Sequence, residues 1–132
     1  MINRVFLGGT CAHTTWRNQI IPQLTIDYFN PDVEDWTEAC QAIEMDEKDN
    51  KCNVHFYLIS KEMQGVFSIA EVVNSAHTHG KRTILHVRPD GFDKGQLKSL
   101  KATVELVNAA GGIAYIDNNI HRAVTILNNC FA

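Results

Sequence analysis

Short β-rich runs alternate with longer helical stretches along the whole chain, and that alternation limits the fold more than any other feature. Residues 4–7, 25–29, 54–59, 83–87 and 113–116 read as strands. The run at 54–59 is the most apolar and belongs at the centre of a sheet. Helices are expected at 15–24, shortened or kinked by Pro22, at 37–50 behind an N-cap at Thr37, and at 66–79 with Gly80 as its stop. A fourth helix starts at Asp93 or Gly95, carries Leu97, Leu100, Val104 and Val107 as its apolar stripe, and ends at Gly111-Gly112. Asn118 or Asn119 caps the last, with Ile120, Ala123, Val124, Leu127 and Phe131 on its apolar side. Five strands in strict alternation with five helices imply an all-parallel sheet covered on both faces, with right-handed crossovers.

For 132 residues without an internal repeat or linker, the expectation is a single domain spanning 1–132. Its architecture is a flavodoxin-like three-layer α/β/α sandwich with strand order 2-1-3-4-5. In such sheets the ligand lies beyond the carboxyl ends of the strands, where strand order reverses. Four segments qualify: residues 8–15, 30–36, 60–67 with the helix behind them, and 88–93.

The first of these, Gly8-Gly9-Thr10-Cys11-Ala12-His13-Thr14-Thr15, turns from a strand into a helix. Glycines admit close approach of a ligand to the backbone, and the threonines resemble a hydroxyl-rich phosphate loop; a plain tight turn capped by Thr14 or Thr15 accounts for the same residues. It matches neither the dinucleotide nor the P-loop pattern. In the second, Asp35-Trp36 pairs a carboxylate with an aromatic ring suited to stacking a base, although Trp36 also serves as a staple before the helix. In the third, Glu71 sits among Ala70, Val72 and Val73, with Phe67 one turn earlier. A carboxylate among apolar groups is costly unless it is paired or functional, and a carboxylate can attack an anomeric carbon. The competing reading is an exposed glutamate on the solvent side. The charged residues Glu44, Glu47, Lys48 and Lys51 read as a solvated face.

Composition narrows the functions. A net charge of −3 argues against a surface for long nucleic acid, though not against a ligand with one phosphate. No apolar run approaches the roughly 20 residues needed to span a bilayer, and no leader pattern opens the chain, so a cytoplasmic location is expected. Cys11, Cys40, Cys52 and Cys130 form no CxxC pair and read as reduced thiols, Cys11 being the one near the candidate site. His55 and His86 fall inside strands, and His77 and His79 end a helix. No histidine pair has metal-ligand spacing, so neither a metal nor a cofactor is expected.

Taken in order, Val5-Phe6-Leu7-Gly8-Gly9-Thr10, Trp16-Arg17, Asp27-Tyr28-Phe29-Asn30-Pro31, Asp35-Trp36 and Gly65-Val66-Phe67-Ser68-Ile69-Ala70-Glu71-Val72 resemble the nucleoside 2-deoxyribosyltransferase-like proteins. The resemblance covers about residues 4–87. It implies cleavage of an N-glycosidic bond, with Glu71 as nucleophile and Asp35 assisting. Gly8, Gly9, Thr10, Asn30, Trp36, Gly65 and Ser68 would contact a small nucleoside or nucleotide. It also implies a homodimer or larger assembly, with Asn128 and Asn129 as candidates to serve a neighbouring subunit. The sequence departs from the better-known transferases at Gly65, where they carry an aspartate six residues before the nucleophile. That departure keeps open a non-catalytic nucleotide-binding module, beside hydrolase, transferase and NAD-cleaving chemistries. Arg17 and the 8–15 loop are the local candidates for holding a 5′-phosphate.

Overall fold

Strand β3 (Val54–Ile59) is buried at every position, as a central strand covered on both faces must be. It lies between β1 (Arg4–Gly9) and β4 (Arg82–Val87), with β2 (Asp27–Phe29) beyond β1 and β5 (Ile113–Ile116) beyond β4. All four pairings are parallel, giving the order β2-β1-β3-β4-β5 and a three-layer, flavodoxin-like α/β architecture. The computed structural model describes residues 2–11, 14–33 and 36–131.

Alternation along the strands divides the core into two halves. Val5, Leu7, Val54, Phe56, Leu58 and Ile84 point to one face, where they meet Trp16 and Ile20 of α1 (Trp16–Ile20) and Ala123, Val124 and Leu127 of α5 (His121–Asn129). Tyr57, Ile59, Leu85 and Val87 point to the other, against Val72 of α3 (Phe67–Ala76) and Leu100 and Val107 of α4 (Lys94–Ala109). Helix α4 opens with a capping box in which Asp93 accepts from the Gln96 N–H at 2.8 Å and Gln96 accepts from the Asp93 N–H at 3.0 Å.

Several local expectations are corrected. The first helix is only Trp16–Ile20, followed by a 3₁₀ turn Ile21–Gln23, because Pro22 cannot continue the α ladder. Thr37 does cap α2 (Glu38–Asp46), but the helix then widens into a π turn, Glu47–Lys51. That turn overturns the solvated-face reading for Glu47 and Lys48, whereas Lys51 stays exposed. Glu47 is buried and takes Arg4 Nε at 2.8 Å, while Lys48 turns inward onto α3. Phe131 is exposed and lies beneath the Arg82 guanidinium, 4.7 Å away, instead of continuing the α5 apolar side. No helix among the described residues is long and apolar enough to cross a membrane.

Candidate functional site

The strand order reverses between β1 and β3, and a cleft of about 310 Å³ opens at their carboxyl ends. Its walls come from four elements. The end of β1 supplies Gly8 and Gly9, the segment after β2 supplies Asp32 and Val33, the start and body of α2 bring Trp36 and Glu44, and α3 contributes Ser68 and Glu71. Five of the sequence candidates, Gly8, Gly9, Trp36, Ser68 and Glu71, therefore meet in one place.

Glycine is required at the floor of this cleft. Gly9 has φ +104°, and a Cβ there would stand 2.2 Å from the Leu58 carbonyl oxygen; at Gly8 a Cβ would stand 2.6 Å from the Tyr57 ring. The loop that follows is held from behind by Arg17, which is buried and donates to the carbonyls of Leu7, Thr10 and Gly9 at 2.9, 3.0 and 3.4 Å. Burial lowers its pKa from the ordinary arginine value. No carboxylate forms an ion pair with this guanidinium among the described residues; Asp32 and Glu44, which line the same cleft, act on its charge from a distance.

Glu71 lies in the second turn of α3. Its side chain retains 17% exposure, and Lys48 Nζ donates to Oε2 at 3.1 Å. The lysine is aimed by a chain of hydrogen bonds that starts in the sheet. His55 bonds through Nε2 to the Lys48 carbonyl at 2.7 Å and through Nδ1 to Ser75 Oγ at 2.8 Å, and Ser75 meets Thr83 Oγ1 at 2.6 Å. Because a carbonyl only accepts, Nε2 carries the proton, Ser75 donates to Nδ1 and Thr83 donates to Ser75. Burial, followed by smaller contributions that include the nearby Lys81 and Lys48 charges, pushes His55 down to about 4 and keeps the ring neutral.

A second carboxylate shares the cleft. Glu44 Oε1 accepts from the indole N–H of Trp36 at 3.3 Å, and burial raises the Glu44 pKa, with the Glu71 charge pushing in the same direction. Trp36 is 53% exposed and is not a buried staple, so its ring faces the cleft mouth. On its far side Glu71 also lines a second cavity of about 430 Å³, bounded by Lys48, Tyr57, Phe67 and Asn74. The Glu71 carboxylate thus stands in the wall between two openings.

The other candidates are placed elsewhere. Thr10 is buried, its hydroxyl accepting from the Ser60 N–H at 3.2 Å and its carbonyl from Trp16 Nε1 at 2.8 Å, so it ties the loop to the sheet. Asn30 accepts from the Asp32 N–H at 3.0 Å and shapes the turn. Gly65 is exposed with open space around it. Asn128 bridges the Thr25 N–H and the Gln23 carbonyl within the chain. Asp35 and His13 lie outside the described residues. Glu44, Lys48 and Tyr57 were not among the sequence candidates. Their only sequence signals are a polar residue inside the apolar β3 run and charges on a helix face that reads as solvent-exposed. No cluster of three or more metal-ligating side chains occurs among the described residues.

Compared with known protein families, residues 2–90 match the family described as nucleoside 2-deoxyribosyltransferase like. No curated protein and no solved structure matches the chain.

Proposed function

The chain belongs to the nucleoside 2-deoxyribosyltransferase-like family, and from that premise we propose that it breaks the N-glycosidic bond of a 2′-deoxyribonucleoside or its monophosphate with Glu71 as nucleophile. The observation that carries this reading is the placement of the Glu71 carboxylate at the strand-order reversal, facing the glycine floor and Trp36, with one oxygen held by Lys48.

The chemistry follows from the two carboxylates. Ionised Glu71 attacks C1′, the C1′–N bond breaks, and its electron pair leaves with the base. Glu44, held toward its protonated form by burial, supplies a proton to the departing base. It fills the part for which Gly65 leaves no side chain. A second base or a water molecule then attacks C1′ of the glycosyl ester, releases the Glu71 carboxylate and returns the proton to Glu44. Trp36 stacks the base. Closure of the site by a second copy of the chain would make the working form a homo-oligomer.

The test is base release from deoxynucleosides, deoxynucleoside monophosphates and NAD, with and without an acceptor base, in wild type and Glu71→Ala. Acceptor-dependent exchange lost in the variant marks a transferase, and release without acceptor marks a hydrolase. Equal inertness of both proteins while both still bind a nucleotide would replace this reading with a binding module, a state the Lys48–Glu71 pair would lock in place.

A further inference from the structure

Tyr57 carries the one buried side-chain polar atom without a hydrogen-bond partner among the described residues. The residue is fully buried, and it borders the larger cavity that Glu71 also lines. Buried phenols find partners almost without exception, so one left alone beside a half-buried carboxylate calls for a cause. The ring cannot turn away to find one. It lies flat against the Cα of Gly8, with Phe6 and His55 at 6.4 Å on its other sides, and any side chain at position 8 would collide with it. Gly8 is thus a glycine because Tyr57 occupies the space above it. Burial in the first place and the Glu71 charge in the second push the phenol pKa up, so the hydroxyl keeps its proton and can only donate or accept as a neutral group. Among the described residues, Lys48 is the single hydrogen-bond partner of Glu71, and it donates to Oε2. Tyr57 and Glu71 thus border one cavity, the phenol hydroxyl and the second Glu71 carboxylate oxygen each without a hydrogen-bond partner among the described residues.

We propose that Tyr57 is a positioning residue for Glu71: when the carboxylate turns to meet a bound nucleoside, the Tyr57 hydroxyl donates to its second oxygen and holds the first aimed at C1′. This rests on the reading of Glu71 as nucleophile. No proton is transferred, and the phenol contributes one charge-assisted hydrogen bond that the resting state lacks. The unpartnered hydroxyl is a cost held in the ground state and recovered when the site is occupied.

The experiment is steady-state base release by wild type, Tyr57→Phe and Glu71→Ala, together with the thermal midpoint of each. Removal of an unpartnered buried hydroxyl with the ring kept leaves packing intact, so Tyr57→Phe should melt at or above the wild-type temperature. Its kcat should fall roughly 10- to 100-fold with KM little changed, the loss expected for one hydrogen bond to a charged group. A Tyr57→Phe protein with wild-type kcat and KM, alongside an inactive Glu71→Ala, overturns the positioning role and leaves the nucleophile intact. A lowered midpoint with unchanged kcat assigns Tyr57 to packing alone and overturns it equally. Retained activity in Glu71→Ala overturns the nucleophile itself, and the positioning role with it.

Discussion

His55 and His86 sit inside β3 and β4, and each is neutral because burial outweighs everything else acting on it. His86 bonds to the Tyr115 hydroxyl at 2.9 Å and the Asp117 carbonyl at 2.7 Å, a pairing that, like that of His55, uses both ring nitrogens. Both rings are pushed from 6.5 down to about 4. In the unfolded chain each takes up its proton near 6.5, so between 6.5 and 4 the unfolded state binds protons that the folded state refuses. The stabilisation is fully present above pH 6.5 and is lost as the pH falls toward 4. Each histidine should contribute a slope of about 1.4 kcal/mol per pH unit within that window, or about 3 kcal/mol across it. The assay is urea denaturation from pH 7 to 4.5, with His55→Gln and His86→Gln removing one titration each. The raised Glu44 works in the opposite direction near the acid end, while the lowered Asp46 and Asp117 lose their contributions at still lower pH. A wild-type stability flat between pH 6.5 and 5, or single variants with the full wild-type slope, would refute the reasoning. Since the His55 ring also fixes the turn that carries Lys48, catalysis should fail in the same window.

Gly9→Ala should destabilise the fold by about 3 kcal/mol or more, because it combines a left-handed φ with a collision against the β3 backbone, and a chemical denaturation midpoint will show it. Lys48→Met should lower kcat for base release roughly tenfold, as the Glu71 Oε2 loses the ammonium that donates to it at 3.1 Å. Trp36→Ala should raise KM roughly tenfold and leave kcat near wild type, the loss expected for one base-stacking ring.

Periodicity made the sheet legible. β3 and β5 begin and end where the apolar runs do, and Leu100 and Val107 are buried on α4 as its stripe requires. Five alternating units leave few topologies open, so the strand order followed from the same pattern. The cleft followed in part, since the switch-point rule names loops and not side chains. Gly8, Gly9, Trp36, Ser68 and Glu71 could be placed by position in the chain and by family resemblance. Lys48 could not, because an α-helical count points residues 44, 47, 48 and 51 outward. The π turn after Asp46 re-aims Glu47 and Lys48 while Lys51 stays exposed, and a π turn is set by the tertiary bonds of His55 and Arg4 and not by local propensity. Tyr57 was equally hidden, as one aromatic in an apolar strand looks like core until its hydroxyl is seen to lack a partner. Thr10 shows the reverse: a hydroxyl in a glycine loop looks like a ligand contact, but here it stitches the loop to Ser60.

The central claim is a covalent bond between Glu71 and a deoxyribosyl group. Wild-type protein quenched during turnover of a deoxynucleoside without acceptor, digested and weighed by mass spectrometry tests it directly. The account predicts a peptide carrying Glu71 heavier by one deoxyribosyl group, a species chased away by added base and absent from Glu71→Ala. Base release that proceeds with the Glu71 peptide unmodified at every quench time, or with the added mass on another residue, would contradict it.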